Sequence, residues 1–211
     1  MRQDAERLVQ AALAAGVQDP RVLQALREVP RAAFVPADLV GQAYLDQPLP
    51  IPHGQVTTQP SLVARMVEAL GLAGSEKVLE VGTGYGFQTA LLARLARFVW
   101  SVERWPDIAE QARVHLARQG ISNVAVVTGD GTEGLPEQAP FEAIIVSAAF
   151  LRVPEPLREQ LAPGGRLVQP IGSGGAEAVV LFVKGRGGLQ WCRTIVGAHF
   201  VRLYGKYGFP S

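Results

Sequence analysis

The chain has 211 residues, enough for one α/β domain with appendages and a full hydrophobic core. Twenty Lys and Arg against 19 Asp and Glu leave a formal net charge of +1, and the arginines are scattered, so a nucleic-acid partner is not expected. No apolar run reaches membrane-spanning length, Met1-Arg2-Gln3-Asp4 does not resemble a signal peptide, and Cys192 is alone. The expectation is therefore a cytoplasmic monomer with no internal disulfide and no membrane partner.

In chain order, residues 2–15 have helical apolar spacing that stops at Gly16. Asp19-Pro20 reads as an N-cap followed by proline in the first turn, opening a helix that ends before Pro30. Residues 46–52 are proline-rich and read as neither regular helix nor central strand. Pro60 opens a helix through Leu70, capped near Gly71. Just ahead of that helix lies His53-Gly54-Gln55-Val56-Thr57-Thr58-Gln59. Two readings of it stand: Thr57 or Thr58 caps the helix, or their hydroxyls and the free helical N–H groups receive a carboxylate.

A second zone starts near residue 76. Residues 77–81 form an apolar strand that runs into Gly82-Thr83-Gly84-Tyr85-Gly86, and a helix pattern follows over 87–97 with Leu91, Leu92 and Leu95 on one face. A strand, a glycine-rich turn and a helix N-terminus make a nucleotide-cradling unit. The dinucleotide spacing G-x-G-x-x-G would need glycine at 87, where Phe87 stands. Glu80 precedes the glycines; an acid aimed at the cleft repels a pyrophosphate and suits a cationic ligand. S-Adenosylmethionine, with its sulfonium and ammonium and no phosphate, meets that condition, and a purely structural glycine turn is the other reading. The E-x-G-x-G-x-G run resembles the first motif of class I methyltransferases.

Residues 98–102 are a second strand ending at Glu103, placed for ribose hydroxyls. A helix runs from Pro106 to Gly120, and a third strand over 124–127 leads into Gly129-Asp130-Gly131. Asp130 either accepts from an adenine amine or closes an Asx turn. Strands follow over 141–146 and 166–171, the second after a tight turn over 161–165. Residues 177–184 and 189–196, around Gly185-Arg186-Gly187-Gly188, read as a hairpin. The expected fold is α/β: a doubly wound, mostly parallel sheet with an antiparallel edge hairpin and an N-terminal helical extension. The division is a helical extension with a substrate loop over 1–75 and a cofactor-binding core over 76–211, packed as one unit.

Taken together, Leu49 through Pro60 (LPIPHGQVTTQP), the glycine run with Gln88-Thr89-Ala90 behind it, Ser101-Val102-Glu103-Arg104, Gly129-Asp130-Gly131, and the segments 139–149 and 161–165 resemble the protein-L-isoaspartate O-methyltransferases over nearly the whole chain, in family order. The resemblance implies the Rossmann-like class I fold. It implies methylation of the α-carboxylate of L-isoaspartyl residues in damaged proteins and peptides, with S-adenosyl-L-methionine as donor and S-adenosyl-L-homocysteine as product, as the start of repair. It puts the catalytic hydroxyl at Thr58, where serine is usual, with His53, Gln55, Thr57 and Gln59 on the substrate. It puts Glu80, Gly82, Thr83, Gly84, Gly86, Gln88, Glu103, Asp130, Gly131 and Tyr204 around the cofactor. Val56 stands where the family has a hydroxyl residue, and Arg202 where it usually has proline.

The chemistry is consistent with this. A carboxylate acceptor, with a reference pKa of roughly 3.3–4.3, is ionised at neutral pH and needs alignment rather than a base. The sequence has no acid/base dyad, and His53, His115 and His199 lack metal-ligand spacing, so no metal is expected. A nucleic-acid amino methyltransferase would carry an [N/D]-P-P-[Y/F] box where Ser147-Ala148-Ala149-Phe150 stands. The rival readings are a small-molecule methyltransferase and a cofactor-binding regulatory module without turnover.

Overall fold

The computed structural model describes residues 2–210. Three helices, α1 (Arg2–Ala14), α2 (Pro20–Glu28) and α3 (Pro60–Ala69), precede the sheet. Asp19 caps α2 by accepting from the Arg21 N–H. Between α2 and α3 the proline-rich segment forms a two-stranded hairpin, β1 (Leu49–Ile51) and β2 (Gln55–Thr57), which stands apart from the main sheet. Three residues, Pro52 to Gly54, connect the strands; the Gln55 N–H closes the turn on the Pro52 carbonyl at 3.2 Å, and His53 and Gly54 both have positive φ, 60° and 65°.

The main sheet has seven strands: β3 (Lys77–Val81), β4 (Phe98–Glu103), β5 (Val124–Thr128), β6 (Phe141–Val146), β7 (Leu161–Ile171), β8 (Glu177–Gly185) and β9 (Gly188–Ala198), in the order β5-β4-β3-β6-β7-β8-β9. β3 to β7 pair in parallel, β8 is antiparallel to β7, and β9 is antiparallel to β8. From β3 the chain winds outward one way through α4 (Phe87–Leu95), β4, α5 (Pro106–Arg118) and β5. It then returns to β6 and winds the other way through α6 (Glu155–Gln160) to β7. The reversal lies between β3 and β6, and a crevice at the C-terminal strand ends follows from it.

Alternation along the strands splits the core into two layers. Val78, Val99, Ala143, Ile145 and Val168 pack with α1, α2, α3 and α4 on one face. Leu79, Val81, Ile144, Val146 and Leu167 pack with α6 and the C-terminal tail on the other. The N-terminal helices therefore share a core with the sheet.

Three details differ from the sequence reading. α4 is buried on nearly every side, not along one leucine stripe, because α2 and α3 cover the surface that the sheet leaves. The turn at 161–165 lies inside β7: Phe141 pairs with Leu161 and Ala143 with Arg166, so the intervening residues bulge out, with Gly164 at φ 75°. The short helix α6 gave no sequence signal, since six residues opened by Pro154 are too few for a periodic pattern.

Candidate functional site

The crevice holds a cavity of about 930 Å³ that is partly open to solvent. Its floor is the glycine turn. Gly82, Gly84 and Gly86 have φ of 93°, 53° and 96°, a region closed to most side chains. The Gly84 N–H donates to Glu103 Oε2 at 3.0 Å, and the Trp105 N–H donates to Oε1 at 3.1 Å. These bonds aim the Glu103 carboxylate from the end of β4 along the cavity wall. Burial raises its pKa, and the backbone donors oppose that shift.

Thr83, Gln88, Gly131 and Tyr204 also line the cavity. Gly131 lies so close to the Val81 side chain that a Cβ there would collide with it. Gln88 Nε2 donates to Ser147 Oγ at 2.9 Å, while Gln88 Oε1 is buried without a hydrogen-bond partner. The Arg104 guanidinium lies over the Trp105 and Tyr204 rings, 5.1 and 5.3 Å from their centroids. Val102, Ile108 and Leu203 supply an apolar wall.

The hairpin forms the opposite side. Ile51, Gln55, Val56, Thr57 and Thr58 face the cavity. The Gln55 amide donates to the His53 carbonyl at 3.0 Å. Thr57 turns inward: its Oγ1 accepts from Arg31 Nη2 at 3.1 Å and from the Leu49 N–H at 3.3 Å. A second hollow of about 1090 Å³ adjoins the first, lined by α3 residues and the segment 196–201. Val56, Thr58, Ser147 and Val201 belong to both hollows. Among the described residues the Thr58 hydroxyl has no hydrogen-bond partner, whereas Ser147 Oγ accepts from Gln88.

Five residues expected at the site stand off the lining of the first cavity. Glu80 does not reach the cavity; it is fully buried and accepts from Gln88 Nε2, Thr89 Oγ1 and Ser101 Oγ at 2.9, 2.5 and 2.6 Å. Alternation along β3 puts its side chain with that of Val78 beneath α4. Burial pushes its pKa up to about 7 against those three donors.

Asp130 forms the Asx turn: Oδ1 accepts from the Thr132 N–H and hydroxyl, and Oδ2 from the Lys206 N–H at 2.7 Å. It holds the C-terminal tail and is not on the cavity wall. Gly86 packs against Leu116 and Phe34. His53 lies outside both hollows, its ring stacked on Trp105 at 3.9 Å and its Nε2 2.9 Å from Asp107. Gln59 donates to Asp46 Oδ2 at 2.8 Å and Ser61 Oγ at 3.1 Å and touches only the second hollow.

Neither threonine caps α3. That end is held by Asp46, whose Oδ1 accepts from the Ser61 N–H at 2.9 Å and whose Oδ2 accepts from Ser61 Oγ at 2.7 Å.

The sequence profile of the protein-L-isoaspartate(D-aspartate) O-methyltransferase family matches residues 3–208. A protein-L-isoaspartate O-methyltransferase of Methanoculleus marisnigri is 47% identical over 211 residues, covering 100% of this chain and 96% of its own length.

The chain belongs to the protein-L-isoaspartate O-methyltransferase family.

Another such methyltransferase, from Anaeromyxobacter dehalogenans, is 52% identical over 190 residues, which are 89% of this chain and 91% of that one. A solved protein-L-isoaspartate O-methyltransferase superposes with a TM-score of 0.84 at 31% identity, covering 97% of this chain and 67% of its own. A Plasmodium falciparum chain provisionally assigned the same activity, solved with S-adenosyl-L-homocysteine, has a TM-score of 0.77 at 24% identity, covering 93% of this chain and 96% of that one, and supports the fold. Nothing favours a small-molecule methyltransferase or a regulatory module.

Ile51, Arg104, Ile108 and Ser147 also line the first cavity. Sequence reasoning gave them no role. Ser147 and Arg104 had one available signal, their position just past the ends of β6 and β4. Ile51 and Ile108 had none, because isoleucines in a hairpin and a helix read only as core.

Proposed function

We propose that the larger part of the first cavity holds S-adenosylmethionine, that the second hollow admits an isoaspartyl peptide, and that the two meet at Thr58. The reaction is methyl esterification of the isoaspartyl α-carboxylate, the start of repair of damaged proteins. The residues present fit the cofactor. Glu103 offers a positioned carboxylate to two ribose hydroxyls. Val102, Ile108 and Leu203 suit an adenine ring, and the unpartnered Gln88 Oε1 suits an ammonium. No Walker lysine follows the glycines to receive a phosphate. The bound cofactor supplies a methyl group on a sulfonium, which a carboxylate displaces in line.

The protein's own contribution is alignment and exclusion of water. Ile51 and Val56 roof the cavity, and the Thr58 hydroxyl donates to the acceptor carboxylate. That carboxylate is ionised at neutral pH, so no base is required. The observation that carries this reading is that Thr58 lies on both hollows with its hydroxyl unspent inside the protein. Gln55 and Thr57 border the acceptor position. His53 acts one step removed, by holding the hairpin against Trp105 and Asp107.

We place the protein in the cytoplasm as a monomer. The single Cys192, exposed and free, supports a reducing compartment. Two register shifts between β8 and β9 distort the sheet edge against pairing with another copy. Among the described residues no helix is long and apolar enough to cross a membrane.

Labelled methyl transfer to matched isoaspartyl and aspartyl peptides tests the reading. Removing an aligning donor costs roughly 1–4 kcal/mol of transition-state stabilisation. Thr58→Ala and Thr58→Val should lower kcat about ten- to a thousandfold with cofactor affinity nearly unchanged, and Thr58→Ser should keep most activity. Parent-like turnover in the valine variant, or equal methylation of both peptides, would contradict it.

A further inference from the structure

Arg31 is the largest polar side chain fully buried in this fold, and no carboxylate lies within ion-pair distance of it among the described residues. Its two terminal nitrogens are spent mostly on backbone carbonyls, while Nε is buried without a hydrogen-bond partner. Nη1 donates to the Ala43 and Leu45 carbonyls at 3.0 and 2.9 Å. Nη2 donates to the Gln47 carbonyl at 2.9 Å, to Thr57 Oγ1 at 3.1 Å and to the Thr58 carbonyl at 3.5 Å. The same group lies 5.8 Å from the centroid of Phe87, the first residue of α4 directly behind the glycine turn. A charge held out of water must be placed by more than packing. Burial here pushes the guanidinium pKa down to about 10, with only Asp46 opposing the shift.

We propose that Arg31 is a positioning residue for methyl transfer: it fixes the Thr57–Thr58 segment against the cofactor side of the site, so that the Thr58 hydroxyl alone is turned to the acceptor carboxylate. This rests on the reading of Thr58 given above. The segment is pinned from both ends. Arg31 takes the Thr57 hydroxyl and the Thr58 carbonyl, and Asp46 takes Gln59 and Ser61. The Thr58 hydroxyl is the polar side-chain group of this run left for a ligand. A planar guanidinium presents two terminal nitrogens to these acceptors at once, and a single ammonium does not reproduce that geometry. Phe87 joins the same cation to the start of α4, so the acceptor loop and the cofactor turn share one fixed point.

The test is a double-mutant cycle in the full-length protein with an isoaspartyl peptide, well below the melting temperature. Arg31→Lys should lower kcat at least tenfold while the S-adenosyl-L-homocysteine dissociation constant stays within about threefold. In the Thr58→Ala background the same change should have almost no further effect on kcat, since the hydroxyl it positions is gone. A purely structural role would lower the melting temperature and act equally in both backgrounds, and that result, or parent-like kcat in Arg31→Lys, would overturn the proposal. If Arg31→Lys does not fold, Thr57→Val removes one acceptor of the fork without touching the charge, and the same non-additivity with Thr58→Ala is expected; additivity overturns it. Parent-like kcat in Thr58→Ala alone overturns the reading of Thr58 and this proposal with it, whereas an impaired Thr58→Ala beside a parent-like Arg31→Lys overturns this proposal only.

Discussion

Glu80 and Glu103 are both acids at or near the C-terminal ends of neighbouring strands, yet they do different work. Glu103, at the last position of β4, turns into the cavity and is aimed by two backbone N–H groups. Losing a hydrogen bond to a charged group costs roughly 1.5–3 kcal/mol, so Glu103→Ala should weaken cofactor binding more than tenfold in calorimetry. An unchanged dissociation constant would remove it from the ribose. Glu80, one residue short of the end of β3, faces α4 and ties Gln88, Thr89 and Ser101 together behind the turn. Its pKa is pushed from an ordinary 4.5 up to about 7 by burial, so the folded chain holds this proton more tightly than the unfolded chain. The stability contributed by the neutral acid is fully present below pH 4.5 and is lost as pH rises through 7. Relative to Glu80→Gln, the parent should lose at most about 3 kcal/mol over that window, read from denaturant unfolding at several pH values. Parallel pH profiles for the two proteins would refute the shift.

The elements that carry the site are held by polar contacts distant in sequence. The hairpin β1–β2 is too short to be stable alone, and it stays in place because His53 stacks on Trp105 and Arg31 takes the loop carbonyls. The start of α3 is held by Asp46, fifteen residues before Ser61. Loss of a helix-capping carboxylate typically costs about 0.5–2 kcal/mol. Asp46→Ala should lower the unfolding free energy by that amount, and Asp46→Asn, which keeps an acceptor, should lower it less. Equal stabilities for parent and alanine variant would mean that water caps this helix end equally well.

Across the whole molecule, α1, α2 and α3 contribute Leu8, Leu26 and Met66 to the same layer as Leu91 and Leu92 of α4 and Val78 of β3. A shared layer makes separate melting of the two zones costly. One cooperative transition is expected, with far-ultraviolet circular dichroism, which sees α1 to α3, coinciding with the fluorescence of Trp100, Trp105 and Trp191, all beyond residue 75. The fragment 76–211 alone would bare the α2 and α3 side of α4 and should fail to fold. Two separated transitions, or a folded fragment, would show that the N-terminal zone is an independent unit.

The sequence by itself determined the elements and the general position of the site. Strand alternation, proline and glycine punctuation and the glycine turn are local signals, and they located the parallel strands, most helices and the crevice residues Glu103, Thr58 and Gln88. Tertiary structure alone decided which polar groups line the cavity. Glu80 and Asp130 stand in ligand-binding motifs, but strand alternation turned the first beneath α4, and the returning tail at Lys206 took a carboxylate oxygen of the second. Arg31, 26 residues before Thr57, gave no pattern to read, because its partners are mostly backbone carbonyls, and every residue carries one.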